Sequence, residues 1–196
     1  MAKTFPQPRI YTTKEWGARP VAEEFETTHI EKSLLHHMDW PNRALISDHA
    51  KAVQKAFEVA RSCQADHMDQ NGWSDTGQNY TVSREGIICE GRHGSIAATK
   101  AGKNVVGAQC QGFNSLSCGT EHEGTYDDVG LPQVQWDAAV NLQCWILDCN
   151  KLSSSDIDGH RDHISTDCPG ATFYSQLPKF REDVHTKLAK WRAENK

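Results

Sequence analysis

Apolar residues recur at helical spacing in three segments of the chain. The first begins at Asp48, which can cap a helix, and ends near Asn71 and Gly72, where the periodic pattern stops. The second covers residues 133–152 and the third covers about 175–191. Each segment predicts a helix with one buried face. The positions that define these faces are Ala50, Val53, Phe57 and Ala60; Val134, Ala138, Leu142, Trp145, Ile146 and Cys149; and Leu177, Phe180, Val184, Leu188 and Trp191.

Shorter apolar runs predict strands. Residues 33–37, with the sequence SLLHH, indicate a buried strand that ends in two histidines. Residues 79–82 and 87–90 flank a glycine-containing turn and predict a hairpin, and residues 105–108 and 117–122 predict two further strands. Because the strands cluster in the middle of the chain, we expect one domain of the α/β (α+β) class, with a central mixed β-sheet flanked by helices.

Composition narrows the classes of function. The chain has 196 residues, of which 37% are hydrophobic and 24% are charged, and its formal net charge is −5. Nonspecific nucleic-acid binding needs clustered lysine and arginine, which the sequence lacks, so we expect no nucleic-acid partner. The N-terminal stretch MAKTFPQPRIYTTKEWGARP has no apolar core typical of a secretory signal. We therefore expect a monomer that is synthesised in the cytoplasm without a signal peptide and without stable membrane insertion.

The seven cysteines and ten histidines supply candidate chemistry. An odd number of cysteines without CxxC pairs suits reduced thiols better than a disulfide framework. His160 and Cys168 lie eight residues apart in GHRDHISTDCPG, and His36 lies at the end of a predicted strand. A catalytic zinc ion needs three such ligands and one open position, so these residues are candidates, although ten histidines permit other triples.

Six motifs along the chain carry a family resemblance: KEWGARP, LLHHMDW, HMDQNGWSDTGQNYTVSREG, EGR, GFNSLSCGTEHEG and GHRDHISTDCPG. In this order they resemble the zinc-dependent N-acetylmuramoyl-L-alanine amidases and the related peptidoglycan recognition proteins, over residues 14 to about 180. The resemblance implies that family's fold, hydrolysis of the amide between muramic acid and L-alanine in bacterial peptidoglycan, and a Zn²⁺ cofactor. Its implied ligands are His36, His160 and Cys168. His37 is the alternative on the strand, since successive strand residues point to opposite faces and only one can face the metal.

The resemblance also assigns catalytic groups. Glu121 matches the general base of bacterial recycling amidases and many phage members, and Glu123 is expected to support it; without the resemblance, both would be interpreted as solvated strand charges. Gln78 stands where other members carry a catalytic tyrosine. Because glutamine cannot exchange a proton near neutral pH, we assign proton transfer to Glu121. Thr166 is a candidate donor to the developing oxyanion, with a simple turn hydroxyl as the alternative.

Four residues are candidates for substrate contact. The resemblance nominates Arg92 and Asn114, and the arginine fork suits a carboxylate of the stem peptide. Trp73 and Tyr80 are candidates for contact with sugar, although aromatic residues at such positions more often belong to the core. The Gly-Trp pair that often follows this arginine in the family is replaced by His93 and Gly94. The sequence therefore makes no prediction between lysine and diaminopimelate stem peptides.

Several alternatives to a lytic zinc amidase stay open. A peptidoglycan-binding protein without catalysis would usually lack a zinc ligand, commonly the cysteine. A purely structural zinc would need a fourth protein ligand, for which His163 or His37 is available. Among enzymes, the lack of an export signal favours a phage endolysin that reaches the cell wall after release, with a cytosolic peptidoglycan-recycling amidase as the next hypothesis.

Overall fold

The computed structural model describes residues 3–22 and 24–195, and its strands form a six-stranded and a two-stranded sheet. In chain order the strands are β1 Ile10–Tyr11, β2 Thr27–Thr28, β3 Lys32–His37, β4 Tyr80–Val82, β5 Ile88–Glu90, β6 Asn104–Val105, β7 Ser117–His122 and β8 Ile157–Gly159. The helices are α1 Thr13–Trp16, α2 His49–Ala65, α3 Ser95–Lys100, α4 Gln133–Asn150, α5 Ala171–Ser175 and α6 Leu177–Glu194. A π-helical turn, Asp66–Gln70, continues α2.

The large sheet has the strand order β1-β5-β4-β7-β3-β8. Its pairs are parallel except for the antiparallel hairpin of β4 and β5, so the sheet is mixed, as predicted. In the central pair, His36 of β3 lies directly opposite Glu121 of β7. The parallel strands β3, β7 and β8 end at the same edge, which is where ligand sites form in such sheets.

Helices cover both faces of the sheet, because alternate strand residues point to opposite sides. One face, which includes Leu35 and Tyr80, packs in a large apolar cluster with α4 and α6. Edge-on contacts of Trp136, Phe173 and Phe180 fill the space between these helices. The other face, to which His36 and Glu121 belong, meets α2. This arrangement confirms the predicted class of a central mixed sheet flanked by helices. Among the described residues, no helix is both long and apolar enough to cross a bilayer.

The predicted helices are present, but two positions expected to be buried, Ala50 and Val134, are exposed. Asp48 caps α2 by accepting a hydrogen bond from the Lys51 N–H at 2.9 Å, as predicted. Ala50, however, is exposed, and the helix buries Ala52 and Ala56 instead, because it meets the sheet through a face turned from the predicted one. The predicted helix over about 175–191 corresponds to α6 and is preceded by the short helix α5.

The short strands differ most from the prediction. The strand expected at 105–108 is limited to Asn104–Val105, because the chain turns so that the Ala108 N–H can donate to the Gly77 carbonyl. The strands β1, β2 and β8 are additional to the prediction. Of these, β8 matters for function, since it pairs with β3 and leads directly into His160.

Candidate active site

Three side chains with metal-binding atoms meet at the carboxyl edge of the sheet. His36 ends β3, His160 follows β8, and Cys168 lies on the loop beyond it. Their candidate ligand atoms all lie within 4.8 Å of one another, and the Cys168 Sγ is 3.6 Å from the His36 Nδ1. The parallel pairing of β3 with β8 thus brings residues 124 positions apart in the sequence into one cluster.

The state of the two imidazoles suits metal binding. The His36 Nε2 donates to the Gln109 Oε1, which leaves the Nδ1 lone pair directed toward Cys168. The His160 Nε2 is buried and has no hydrogen-bond partner among the described residues. Burial, followed by the neighbouring His160, lowers the pKa of His36 to about 3, and burial also lowers the pKa of His160. Both rings are therefore neutral at pH 7, as metal coordination requires.

The thiol completes a donor set that fits zinc. Burial raises the pKa of Cys168 to about 12, so the thiol is protonated unless a cation binds beside it. Two histidines and one cysteine, with one side open to a cavity, form a ligand set typical of catalytic rather than structural zinc.

The two other histidines considered as ligands lie outside this cluster. His37 turns to the opposite face of β3, where its Nδ1 accepts a 3.4 Å hydrogen bond from the Tyr126 N–H. His163 pairs with Asp158 at 3.1 Å, and its ring makes a tilted contact with Phe113 at 4.2 Å between centroids. Within residues 3–22 and 24–195, the cluster thus contains His36, His160 and Cys168 and no fourth ligand.

Glu121 lies in the same cavity, which has a volume of about 390 Å³. The strand register places it beside His36, and its Oε2 is 3.7 Å from the Cys63 Sγ. Burial raises the pKa of Glu121 to about 7, which is the range of an effective general acid or base at neutral pH. Glu123, by contrast, forms an ion pair with Arg43 at 2.7 Å and takes no part in lining this cavity.

Two further residues assigned from the sequence also line the cavity. Thr166 accepts a 3.3 Å hydrogen bond from the Cys168 N–H, and its own hydroxyl proton is still available to a ligand. Trp73 forms part of the wall and stacks on His67 with ring centroids 4.8 Å apart. Gln78 lines the wall as well, and its Nε2 donates to the Cys63 Sγ at 3.3 Å.

The remaining substrate candidates are placed elsewhere, and their assignment needs correction. Tyr80 is completely buried, and its hydroxyl contacts the Ser95 carbonyl at 2.9 Å, so its ring belongs to the core. The buried Arg92 guanidinium donates to the backbone carbonyls of Thr76 and Val106.

Asn114 also has a structural role. Its Oδ1 accepts the N–H groups of Gln109 and Cys110, both at 2.8 Å. Arg92 and Asn114 therefore brace loops around the cavity and do not line it. Each uses its polar atoms on the backbone, a role that the motif alone does not reveal.

Sequence reasoning missed Gln109, Cys63 and His67. Gln109 orients His36 from a loop with no recognisable pattern. Cys63 and His67 lie four residues apart at the end of α2, the spacing that places two side chains on one face of a helix. This four-residue spacing is the one feature of the sequence that could have indicated that Cys63 and His67 lie together.

A mixed sheet covered by helices in this way is the fold of the peptidoglycan recognition proteins and N-acetylmuramoyl-L-alanine amidases among the solved structures that this chain matches. The chain belongs to the N-acetylmuramoyl-L-alanine amidase family, whose profile matches residues 27–171.

Known proteins of this kind are similar over most of the chain. Peptidoglycan-recognition protein SC2 of Drosophila simulans is 28% identical, and the match covers 86% of this chain and 84% of that protein. An N-acetylmuramoyl-L-alanine amidase of Sus scrofa is 28% identical over 93% of this chain and 29% of its own length. The structure of tracheal cytotoxin bound to the ectodomain complex of recognition proteins LCa and LCx has a TM-score of 0.73 and 25% identity, covering 87% of this chain and 95% of that one.

Proposed function

We propose that the chain is a zinc-dependent N-acetylmuramoyl-L-alanine amidase that hydrolyses the amide bond between the lactyl group of muramic acid and the L-alanine of the stem peptide. The observation that carries the proposal is the cluster of His36, His160 and Cys168 in one cavity with Glu121. Zinc held by these three ligands would polarise the scissile carbonyl and make water acidic enough to attack at neutral pH.

Glu121 moves the proton in this proposal. A carboxylate Oε accepts a proton from the attacking water and then donates it to the departing alanine nitrogen. A pKa of about 7 suits both halves of this cycle, since the group exchanges its proton readily at neutral pH.

The neighbouring groups have supporting roles. The Thr166 hydroxyl is available to donate to the oxygen that becomes negative in the transition state. Gln109 holds the His36 ring so that its Nδ1 stays directed at the ligand cluster. Gln78 donates to Cys63 and lacks an acidic proton, so it is assigned no proton transfer.

Peptidoglycan is the proposed substrate. The family assignment and the tracheal cytotoxin complex of the similar recognition proteins support this class of ligand. The open cavity, with Trp73 on one wall, offers an aromatic surface for a sugar or an apolar part of the peptide.

Incubation with purified peptidoglycan, followed by mass spectrometry of the soluble products, tests the proposal. We expect stem peptides with a free N-terminal L-alanine, and glycan chains of undiminished length. Shortened glycans with stems still attached would indicate glycosidase activity and overturn the assignment. Heat-inactivated protein is the control.

Recognition without catalysis is the second candidate, since the SC2 relative is named as a recognition protein. It predicts pull-down of insoluble peptidoglycan with no released peptide under zinc-replete conditions. The complete ligand cluster favours the enzyme. A lytic role, as in a phage endolysin, is a narrower hypothesis from the sequence. Clearing of a suspension of bacteria with a permeabilised outer layer would support it. A recycling amidase would instead prefer soluble muropeptides as substrates.

A further inference from the structure

We propose that Cys63, His67 and Glu121 form a second site for a divalent metal ion of the zinc type, and that an ion there inhibits hydrolysis by occupying Glu121. The binding part of this proposal is independent of the activity. The inhibitory part rests on the proposed amidase function, in which Glu121 is the base.

The geometry resembles that of the first cluster. The candidate ligand atoms of the three residues lie within 4.8 Å of one another. The Cys63 Sγ is 3.6 Å from the His67 Nδ1 and 3.7 Å from the Glu121 Oε2. Cys63 and His67 project from one face of α2 and its π-helical extension, and Glu121 faces them from β7. A modest closure around an ion would bring these atoms to coordination distance.

An ion can reach these residues from a cavity of its own. A second cavity of about 200 Å³ is lined in part by Cys63, Asp66, His67 and Glu121. The Asp66 carboxylate adds negative charge on the same wall, which favours entry of a cation. Because Glu121 and His67 line both cavities, they lie between the two cavities.

A buried amide supplies a second, independent observation. Gln78 is only 2% exposed, and its Oε1 has no hydrogen-bond partner among the described residues. The Nε2 of the same amide donates to the Cys63 Sγ at 3.3 Å, so the amide lies against the cluster. Rotation of this amide by half a turn would direct Oε1 to the thiol side, where this oxygen can serve as the fourth ligand.

The donor chemistry selects the metal. One thiolate, one imidazole and one carboxylate suit Zn²⁺ or Co²⁺ and disfavour Mg²⁺ and Ca²⁺, which prefer oxygen ligands. Burial lowers the pKa of His67, so its ring is neutral. The Gly77 N–H, which donates to the His67 Nδ1 at 3.1 Å, would exchange this hydrogen bond for the metal bond.

Inhibition follows from the shared carboxylate. A Glu121 oxygen bound to an ion no longer accepts a proton from water, so hydrolysis stops without any change at His36, His160 or Cys168. We therefore expect activity that is maximal near one zinc ion per chain, falls with excess zinc, and recovers when a chelator removes the weaker ion.

Cobalt titration of metal-free protein tests binding without an activity assay, because Co²⁺–thiolate absorption reports each cysteine ligand. We expect two absorption steps in the parent protein. Cys168→Ser should lose the absorption of the tighter step and Cys63→Ser that of the second step, whereas His67→Asn, which keeps the thiolate, should weaken the second step roughly 10-fold or more. Cys149→Ser is the matched control, since Cys149 is a helical cysteine outside both clusters, and it should retain both steps. Because Cys63→Ser and His67→Asn test the same site independently, the test remains valid if one of the two variants fails to fold.

The outcomes separate the two proposals. A single step in the parent, or two unaltered steps in both Cys63→Ser and His67→Asn, overturns the second site. An unaltered first step in Cys168→Ser overturns the first site and with it the proposed function. In hydrolysis assays, the ratio of activity at excess zinc to activity at one equivalent should be low in the parent and near one in Cys63→Ser. A ratio that is equally low in both overturns the inhibitory role.

Discussion

Glu121 is a carboxyl group between two clusters of metal-binding side chains, and its surroundings oppose its charge. The Cys63 thiol donates to its Oε2 at 3.7 Å, and no cation pairs with it among the described residues. Glu123, two positions further along, is held by Arg43 in an ion pair at 2.7 Å. Two glutamates on one short segment thus have opposite electrostatic environments, and substitutions distinguish them.

Replacement of Glu121 by glutamine should abolish most hydrolysis. Glutamine retains the shape of the side chain and cannot accept a proton, so we expect a loss of roughly 100-fold or more at an unchanged zinc content. Glu123→Gln should remain largely active per folded molecule, and Gln78→Ala should lose much less than Glu121→Gln. The release rate of stem peptides, measured at one zinc ion per chain, checks this. A Glu121→Gln protein that works near the parent rate would remove Glu121 from the mechanism.

The same substitution should raise stability. The pKa of Glu121 is about 7 in the folded protein against an ordinary value of 4.5, so its ionisation lowers the free energy of unfolding progressively as the pH rises from 4.5 to 7, and in full above pH 7. Metal-free Glu121→Gln should therefore be more stable than the parent by roughly 1–3 kcal/mol at about pH 8. The difference should shrink as the pH falls through 7 and vanish below 4.5, where both chains carry a neutral group.

Urea unfolding across this pH range measures the effect. Glu123→Gln is the control with the opposite sign, since it leaves Arg43 without part of its ion pair and should be destabilised. Equal stability of the parent and Glu121→Gln at about pH 8 would show that the carboxylate is solvated.

At the scale of elements, the long helices and the central strands could be predicted because their side-chain periodicity is strong. The strands β1, β2 and β8 have two or three residues each, which is too short for any period, and they exist through pairing with distant strands. The displaced face of α2, with Ala50 exposed, shows the same limit, since the angle at which a helix meets a sheet depends on its partner.

The candidate site likewise contains residues that could be predicted from the sequence and residues that could not. The family motifs assign the metal ligands and the general base, and these four residues come together in one cavity: His36, His160, Cys168 and Glu121. Tyr80 does not, because alternation along β4 directs it into the core. Loop contacts such as the one between Gln109 and His36 join positions 73 residues apart and carry no local pattern.

The approach of β7 to the loop at Gln109 leads to a prediction about a glycine. A Cβ atom on Gly119 would lie 2.8 Å from the Gln109 Cγ, so Gly119→Ala should displace the side chain that orients His36. We expect zinc affinity to fall roughly 10-fold, as is typical when a residue that orients a metal ligand is lost.

A double-mutant cycle gives the decisive measurement for Gly119. Gln109→Ala should weaken zinc binding to a similar extent. If both substitutions act through the same contact, the double variant should be no worse than either single variant. Additive losses would mean that Gly119→Ala disturbs the site by another route.

At the scale of the whole molecule, the cluster of candidate ligands connects parts of the chain that lie far apart. His36 belongs to a central strand, while His160 and Cys168 follow β8 at the edge of the sheet. The loop that carries Cys168 leads directly into α5 and α6, which cover the other face. Occupation of the cluster therefore joins the centre of the sheet to its C-terminal cover.

Zinc should accordingly stabilise the fold as a whole. At a free zinc concentration about 100 times the dissociation constant, the expected gain is roughly 2.7 kcal/mol. A chelator should lower the melting temperature of the parent much more than that of Cys168→Ser or His160→Ala, which should bind no zinc at the first site and retain only the weaker second site. His163→Ala is the control and should keep its zinc, since His163 pairs with Asp158 outside the cluster. Full zinc content in Cys168→Ser and His160→Ala, by elemental analysis, would contradict the ligand assignment.

The register of β3 on β7 determines which parts of the candidate site can be changed without moving Glu121 relative to His36. His36 and Glu121 are partners across one hydrogen-bonded ladder, so their separation is fixed by the strand spacing of about 4.8 Å. The two other ligands sit on a segment outside that ladder. In the proposed amidase, exchange of cavity loops that carry no candidate ligand should therefore alter which cell-wall fragment is admitted while Glu121 stays aligned with His36. In the proposed enzyme, substrate choice and proton transfer would reside on separable parts of the chain, so that the first could be exchanged without changing the second.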